Sequence, residues 1–205
     1  MHQISPTILN QFRYMMHVED DEQSARVRAD LLAHLRGDRT EPNEAMLQGQ
    51  QFEDDVCDMA EGRITPSSPT DPYSLAVAEA ADIVRGSLCQ QHVARELDGV
   101  LLHGYVDFMR AARMWDTKWA TKTPTIPKYQ HSMQHRLYLY CCEPMQIGNF
   151  AYLICDGRNL YAEEYHWHPS FEGDLRSAIG DWFLYLDRDA EMRQAYEARS
   201  VVEAA

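Results

Sequence analysis

Apolar and polar positions recur with two different periods along this chain, and the change of period divides it. Ile8, Leu9, Phe12 and Met16 follow Ser5-Pro6-Thr7 at helical spacing, so a short helix behind a hydroxyl cap is predicted there. The acidic run from Glu19 to Glu22 reads as solvated surface beyond it. A second helix is predicted over residues 26–36, ended by Gly37, and a third over 43–61, ended by Gly62. The third sets Phe52, Val56 and Met59 on one face and Asp54, Asp58 and Glu61 toward water. Residues 65–72, with three prolines and two serines, form a loop before an alanine-rich helix over 74–85 closed by Gly86.

After residue 90 the period shortens to two. Residues 91–97, 100–109 and 114–120 read as three consecutive antiparallel strands, the first pair joined by Asp98-Gly99. Pro127 is expected to start a helix running through Met133, Leu137 and Cys141. Residues 150–155 and 160–167 form a hairpin about Asp156-Gly157, and a helical tail runs from Ser170 into a polar terminus. One domain is expected, with a helical part over about 1–86, a sheet core over about 90–167 and a tail over 170–205. The fold class is α/β, a small mixed sheet flanked by helices.

Charge changes this picture. A net charge of -13 over 205 residues argues against a nucleic-acid partner until its distribution is read. Between Phe108 and Cys142, Arg110, Arg113, Lys118, Lys122, Lys128 and Arg136 face one acid, Asp116, giving +5 there and -18 elsewhere. All three lysines lie in that window, among Trp115, Trp119, Tyr129, Tyr138 and Tyr140. One basic face on an acidic body is predicted. No apolar run of about eighteen residues and no basic-then-apolar leader occurs, which points to a cytoplasmic protein away from membranes. Cys57, Cys89, Cys141, Cys142 and Cys155 are odd in number and lack CxxC spacing, so they read as buried thiols rather than a disulfide framework or zinc ribbon.

The second predicted hairpin carries the chemistry. A turn centred between Ala111 and Ala112 places Asp107 opposite Asp116, with Lys118 on the same face and Val106, Phe108, Trp115 and Trp119 on the other. Two carboxylates across a strand pair repel unless a cation lies between them, and oxygen-only ligation suits a hard ion such as Mg²⁺. Lys118 would orient a water or neutralise charge growing on a phosphate. Glu53, flanking the buried stripe of the third helix, is a further candidate ligand. Asp116-Thr117-Lys118 alone weighs little, because about 0.5 chance acid-x-Lys triplets are expected at this composition. Its place in the hairpin gives it weight. His131 and His135 share a predicted helical face and read as surface or phosphate contacts, and His166-Trp167-His168 as a strand-end pair.

Gly104-Tyr105-Val106-Asp107-Phe108 followed by Met114-Trp115-Asp116-Thr117-Lys118 resembles the G-h-h-D then h-h-D-x-K signature of the PD-(D/E)XK nuclease superfamily, in its RecB-like, phage-type exonuclease branch. Ser5-Pro6-Thr7-Ile8-Leu9 resembles that family's N-terminal helix start, Gly49-Gln50-Gln51-Phe52-Glu53 its G-x-x-h-(H/E) helix, and Gln134 to Tyr138 its Q-x-x-x-Y motif. The resemblance covers roughly residues 5–165. It implies a restriction-endonuclease-like αβββαβ core and Mg²⁺-dependent hydrolysis of DNA phosphodiesters, with Mn²⁺ able to substitute, in recombination or repair.

By position, the resemblance makes Asp107, Asp116, Glu53 and the Thr117 carbonyl metal ligands and Lys118 the catalytic lysine. Gln134 and Tyr138 would contact DNA or brace the site. Lys122, Lys128 and Arg136 would hold phosphates, and Ser5 and Thr7 would lie near the entrance. No iron-sulfur cluster is expected, since residues 5–20 contain no cysteine and none follows Cys155. DNA is the expected partner, beside a single-strand annealing or recombination protein and further copies of the chain. Two other classes compete: a non-catalytic module that binds nucleic acid or protein on the same fold, and an acidic DNA mimic.

Overall fold

The computed structural model describes residues 2–38, 41–68 and 70–202. Pro69 of the expected loop and the last three residues of the expected tail lie outside them. A six-stranded mixed sheet is built from β1 (His2–Ile4), β2 (Leu88–Leu97), β3 (Val100–Arg110), β4 (Arg113–Trp119), β5 (Asn149–Cys155) and β6 (Leu160–His166). Around it lie α1 (Pro6–His17), α2 (Asp21–Arg36), α3 (Glu44–Ala60), α4 (Pro72–Val84), α5 (Met133–Cys142), α6 (Ser170–Leu186) and α7 (Ala190–Val202). The fold is α/β and restriction-endonuclease-like, as the sequence predicts.

Both sheet faces are covered. One face packs against α1, α5 and α6, with α2 and α7 beyond, through Ile8, Leu9, Phe12, Leu102, Val106, Leu137, Phe150, Tyr152 and Trp182. The other packs against α3 and α4 through Phe52, Val56, Ala76, Val77, Ala80, Phe108, Trp115 and Leu153. The small side chains of α4 let it lie close to the sheet, and each fully buried Phe or Leu contributes about 1.5–3 kcal/mol.

Strand β3 organises the sheet. On one edge it pairs antiparallel with β2 from Leu97↔Val100 to Leu88↔Met109, through a turn in which Asp98 and Gly99 both take positive φ, 52° and 83°. Its other edge is shared: parallel β1 occupies Val100 to Leu102, and antiparallel β4 occupies Phe108 to Arg110. Between these partners the edge from His103 to Asp107 has no strand beside it among the described residues. Strand β4 continues along β5, from Arg113↔Asn149 to Trp119↔Cys155.

The structure corrects several expectations. The N-terminal strand β1 was not predicted; three residues are too few to show a period. The acidic run is exposed as expected but also starts a helix: Asp20 caps α2, accepting from Gln23 N at 2.7 Å, and Asp21 and Glu22 form its first turn, where carboxylates favour the helix dipole. Helix α5 starts at Met133 rather than at Pro127. Ser132 accepts from Gln134 N, and Asn10 of α1 accepts from Met133 N at 2.7 Å. The preceding segment is a loop held by buried Glu163, whose carboxylate accepts from Lys128 N at 2.7 Å and Tyr129 N at 2.8 Å. His135 is not a surface group; it is 1% exposed and stacks on Tyr165 with ring centroids 3.7 Å apart.

Burial, aided by neighbouring Arg136, pushes the His135 pKa down to about 3 from 6.5, so the ring is neutral in the fold. Stability conferred by that neutral ring is complete above pH 6.5 and is lost as pH falls toward 3. His135→Phe keeps a stacked ring and removes the proton site. Urea unfolding should show the wild type losing about 3 kcal/mol relative to the variant between pH 6.5 and pH 4. A pH-independent difference would refute this account.

Candidate active site at the fork of the sheet

The predicted register is observed: Phe108 pairs with Trp115 and Met109 with Met114. The pairing stops there, so Asp107 and Asp116 are not the cross-strand pair the sequence led us to expect. Val106 packs into one core and Phe108, two residues on, into the other, so strict alternation fails at Asp107 and the expected shared face of Val106 and Phe108 does not form. Across from this break Gln90 takes φ 49°. In place of a β3–β4 ladder bond, the Asp107 carboxylate accepts from Thr117 N at 2.8 Å and Thr117 Oγ1 at 3.0 Å. The strands fork, and an acid occupies the fork.

The expected solvated ionic face is also corrected, because Asp116 is 1% exposed and Asp107 8%. Asp116 pairs with Lys118 and accepts from Gln134 Nε2 of α5 at 2.6 Å. The Lys118 ammonium also lies over the Tyr152 ring, 5.7 Å from its centroid. Glu53 reaches the same region from α3 and accepts from Gln90 Nε2. One carboxylate thus comes from the α3–α4 layer, one from the fork itself and one from the face that α5 covers.

Their electrostatics reflect this crowding. Burial first, then the charges of Asp107 and Asp116, push the Glu53 pKa up to about 7. Burial and Asp107 do the same to Asp116, also to about 7, against the opposing pull of Lys118. Burial raises Asp107 as well, while Lys118 and the Thr117 donors act the other way. Lys118 is held protonated, the neighbouring carboxylates outweighing its desolvation. Three carboxylates and one ammonium leave surplus negative charge, and an all-oxygen donor set with that surplus fits a hard divalent cation. Asp107, Asp116, Glu53 and the Thr117 carbonyl are the groups that would hold it.

The remaining predicted residues are placed as follows. Tyr138, one turn after Gln134, is buried and donates from its hydroxyl to Tyr105 O at 2.6 Å, satisfying a carbonyl on the edge of β3 left open between β1 and β4. Gly104 makes room for it: a Cβ there would lie 2.7 Å from Tyr138 Cε1 and 3.2 Å from Pro6 Cδ. Ser5 occupies the cap position of α1 without a side-chain cap bond, and Thr7 is exposed. Arg136 is engaged internally, donating to Asp174 at 2.8 Å and to Gln130 O at 2.9 Å. Arg110 donates to the Ile83 and Arg85 carbonyls, and Arg113 pairs with Glu164. Of the basic window, Lys122 and Lys128 keep exposed ammoniums without an ion pair among the described residues.

Sequence reasoning missed Gln90, Glu163 and Tyr152. For Gln90 the signal existed, because the Asp98-Gly99 register carried back along β2 sets Gln90 against Asp107. A cleft of about 600 Å³, lined by Phe12, Arg13, Arg136, Asp174 and Arg188 among others, includes none of Glu53, Asp107, Asp116 and Lys118.

No protein-family model matches the chain. No curated protein matches its sequence. Among solved structures it is similar to a Eubacterium rectale protein assigned by inference as an exonuclease, at 11% identity and TM-score 0.54, over 97% of this chain and 82% of the other. It is also similar to the protein SSO0001, at 13% identity and TM-score 0.51, over 90% of this chain and 77% of the other. Both likenesses are of fold.

Ionising Glu53 inside the fold is unfavourable, so its contribution to stability is greatest below pH 4.5 and declines as pH rises through about 7. Glu53→Gln abolishes the charge and keeps the shape. In EDTA the variant should gain stability over the wild type on the order of 1 kcal/mol at pH 8, a figure reduced for the site's partial exposure, and little at pH 4. Thermal unfolding at the two pH values checks this; a gain at pH 4 equal to that at pH 8 would show that repulsion is not the cause.

Proposed function

We propose that this protein is a metal-dependent nuclease of the PD-(D/E)XK type that hydrolyses DNA phosphodiesters. The observation that carries this reading is the convergence of Glu53, Asp107, Asp116 and Lys118, from one helix and two strands, at the fork between β3 and β4. Motif order in the sequence and the fold-level likeness to an exonuclease support it. The finer reading is an exonuclease of phage type acting in recombination or repair, working beside an annealing or recombination protein or as several copies. Among the described residues, no helix is long and apolar enough to cross a membrane.

A Mg²⁺ ion, or Mn²⁺ in its place, polarises a phosphate and acidifies a water when held by such carboxylates. The protein supplies the rest. The Thr117 N–H and hydroxyl fix one Asp107 oxygen, and the Gln134 amide fixes one Asp116 oxygen, so both carboxylates are oriented in advance. Lys118, protonated and next to Asp116, balances negative charge that builds on the phosphate and orients the attacking water. Tyr138 braces β3 on the edge away from β2, between β1 and β4. Lys122 and Lys128 offer exposed cations on the loop between β4 and α5.

End-labelled linear DNA and closed circular DNA incubated with Mg²⁺ or with EDTA test the reading. Cleavage of the linear form alone, abolished by EDTA and by Asp107→Ala, Asp116→Ala or Lys118→Ala with circular dichroism unchanged, is the expected result. Wild-type cleavage by the Asp116 variant would overturn the assignment. DNA binding without cleavage in Mg²⁺ and in Mn²⁺ would favour a non-catalytic module, and binding of a nuclease in place of DNA a mimic.

The Lys122→Glu/Lys128→Glu double variant should bind DNA more weakly and lower the log-log salt slope by about 0.7–0.9 for each phosphate it no longer neutralises. Fluorescence anisotropy between low and moderate salt reads this. An unchanged slope would place the DNA on another surface.

A further inference from the structure

Two cysteines depart from the expectation of buried thiols. Cys141, Cys142 and Cys155 are buried, whereas Cys57 on α3 and Cys89 on β2 are only partly covered and bring their sulfurs to 2.9 Å. Glu61, which ends α3, turns one carboxylate oxygen to both: its Oε1 lies 3.8 Å from Cys57 Sγ and 3.6 Å from Cys89 Sγ. Among the described residues, these three side chains form the cluster of potential ligands whose donor atoms all lie within 4.8 Å of one another. We propose that Cys57, Cys89 and Glu61 form a binding site for a thiophilic divalent cation of the zinc type, separate from the carboxylates at the fork.

The distances support a tetrahedral ion. With metal–sulfur bonds of about 2.3 Å and metal–oxygen bonds of about 2.0 Å, a tetrahedron has sulfur–oxygen edges of about 3.5 Å and a sulfur–sulfur edge of about 3.8 Å. Both sulfur–oxygen edges are already within about 0.3 Å of that figure. The sulfurs must part by about 0.9 Å, and what holds them together is a thiol hydrogen bond that disappears when both are deprotonated.

The surroundings also fit. Arg63 holds the other oxygen of Glu61, Oε2, and donates to Cys57 Sγ at 3.7 Å, so the ligating carboxylate is oriented from behind. Two thiolates, one carboxylate and a divalent ion carry a single negative charge, which faces Arg63, itself also paired with Asp58. Glu61 lies at the surface, which leaves a fourth position for water. Sulfur ligands select a soft or borderline ion and the oxygen-only fork a hard one, so the two sites sort metals by ligand chemistry.

Location gives the site a consequence. Cys57 is one helical turn beyond Glu53, and Cys89 adjoins Gln90, the residue that donates to Glu53. An ion on the cysteines would tie α3 to β2 beside that contact and hold Glu53 in place.

The reduced, metal-free full-length chain should be titrated with Zn²⁺ alone and with Co²⁺ alone. One ion on the cysteines, release of about two protons, a thiolate-to-cobalt charge-transfer band and a melting temperature raised by about 5 °C are expected. Asp116→Asn should bind zinc as the wild type does, which separates this site from the fork whatever the fate of the nuclease reading. Cys57→Ser and Cys89→Ser should each weaken binding at least about 100-fold, and Glu61→Gln about 10-fold. Alkylation mapped by mass spectrometry on the wild type needs no variant: zinc should shield Cys57 and Cys89 and leave the other thiols unchanged. Failure of zinc to shield them, equal binding by the Cys57→Ser/Cys89→Ser double variant, or a cobalt spectrum without a thiolate band would each overturn the proposal.

Discussion

One edge of β3 cannot serve two strands along its whole length, and the rest of the structure follows from how that conflict is resolved. Strand β1 takes three residues of the edge and β4 takes another three, leaving that edge from His103 to Asp107 without a strand partner among the described residues. Backbone groups left in this way must be satisfied by other means. The Tyr138 hydroxyl does so for the Tyr105 carbonyl, and the Asp107 carboxylate does so for the Thr117 N–H. An acid is therefore buried where a sheet would ordinarily close, and β4, kept straight by β5, carries Asp116 and Lys118 past it. The ladder fails at one point, and this failure lets side chains of helices on opposite sides of the sheet reach the same polar region.

Burying Asp107 and Asp116 beside a half-buried Glu53 is costly, and the surrounding groups compensate for only part of it. Lys118 and Gln134 serve Asp116, Gln90 serves Glu53, and Thr117 serves Asp107. Negative charge still exceeds positive, which is why burial and mutual repulsion together raise these groups instead of hydrogen bonding lowering them. Such a site is poised toward cations and against anions, and the acidic body beyond it strengthens that preference.

Much of this was legible in the sequence, and the reasons differ by element. The stripes of α1 and α3 and the turn at Asp98-Gly99 declare themselves because one face is buried and the period is clean. The β3–β4 register followed from counting around the turn, and Glu53, Asp107, Asp116, Lys118 and Gln134, picked from spacing and resemblance, do lie together. The fork itself was not legible: periodicity assumes that alternation continues, and Val106 and Phe108 break it, packing into different cores. His135 was misplaced because it was read together with His131 on one helical face, while the four aromatic rings around it had to be assembled first. Cys57 and Cys89 were misread because a 32-residue separation hides a contact that only the packing of α3 on β2 creates.

The close approach of Tyr138 to Gly104 bears on descent. A methyl group at position 104 would have to displace the ring of Tyr138, and a residue without a hydroxyl at 138 would leave the Tyr105 carbonyl without this partner at a partly buried position. Neither position can drift alone without leaving either a clash or an orphaned acceptor. Across any set of sequences sharing this architecture, glycine on the strand and tyrosine on the helix should therefore be inherited as one character, changing together or not at all.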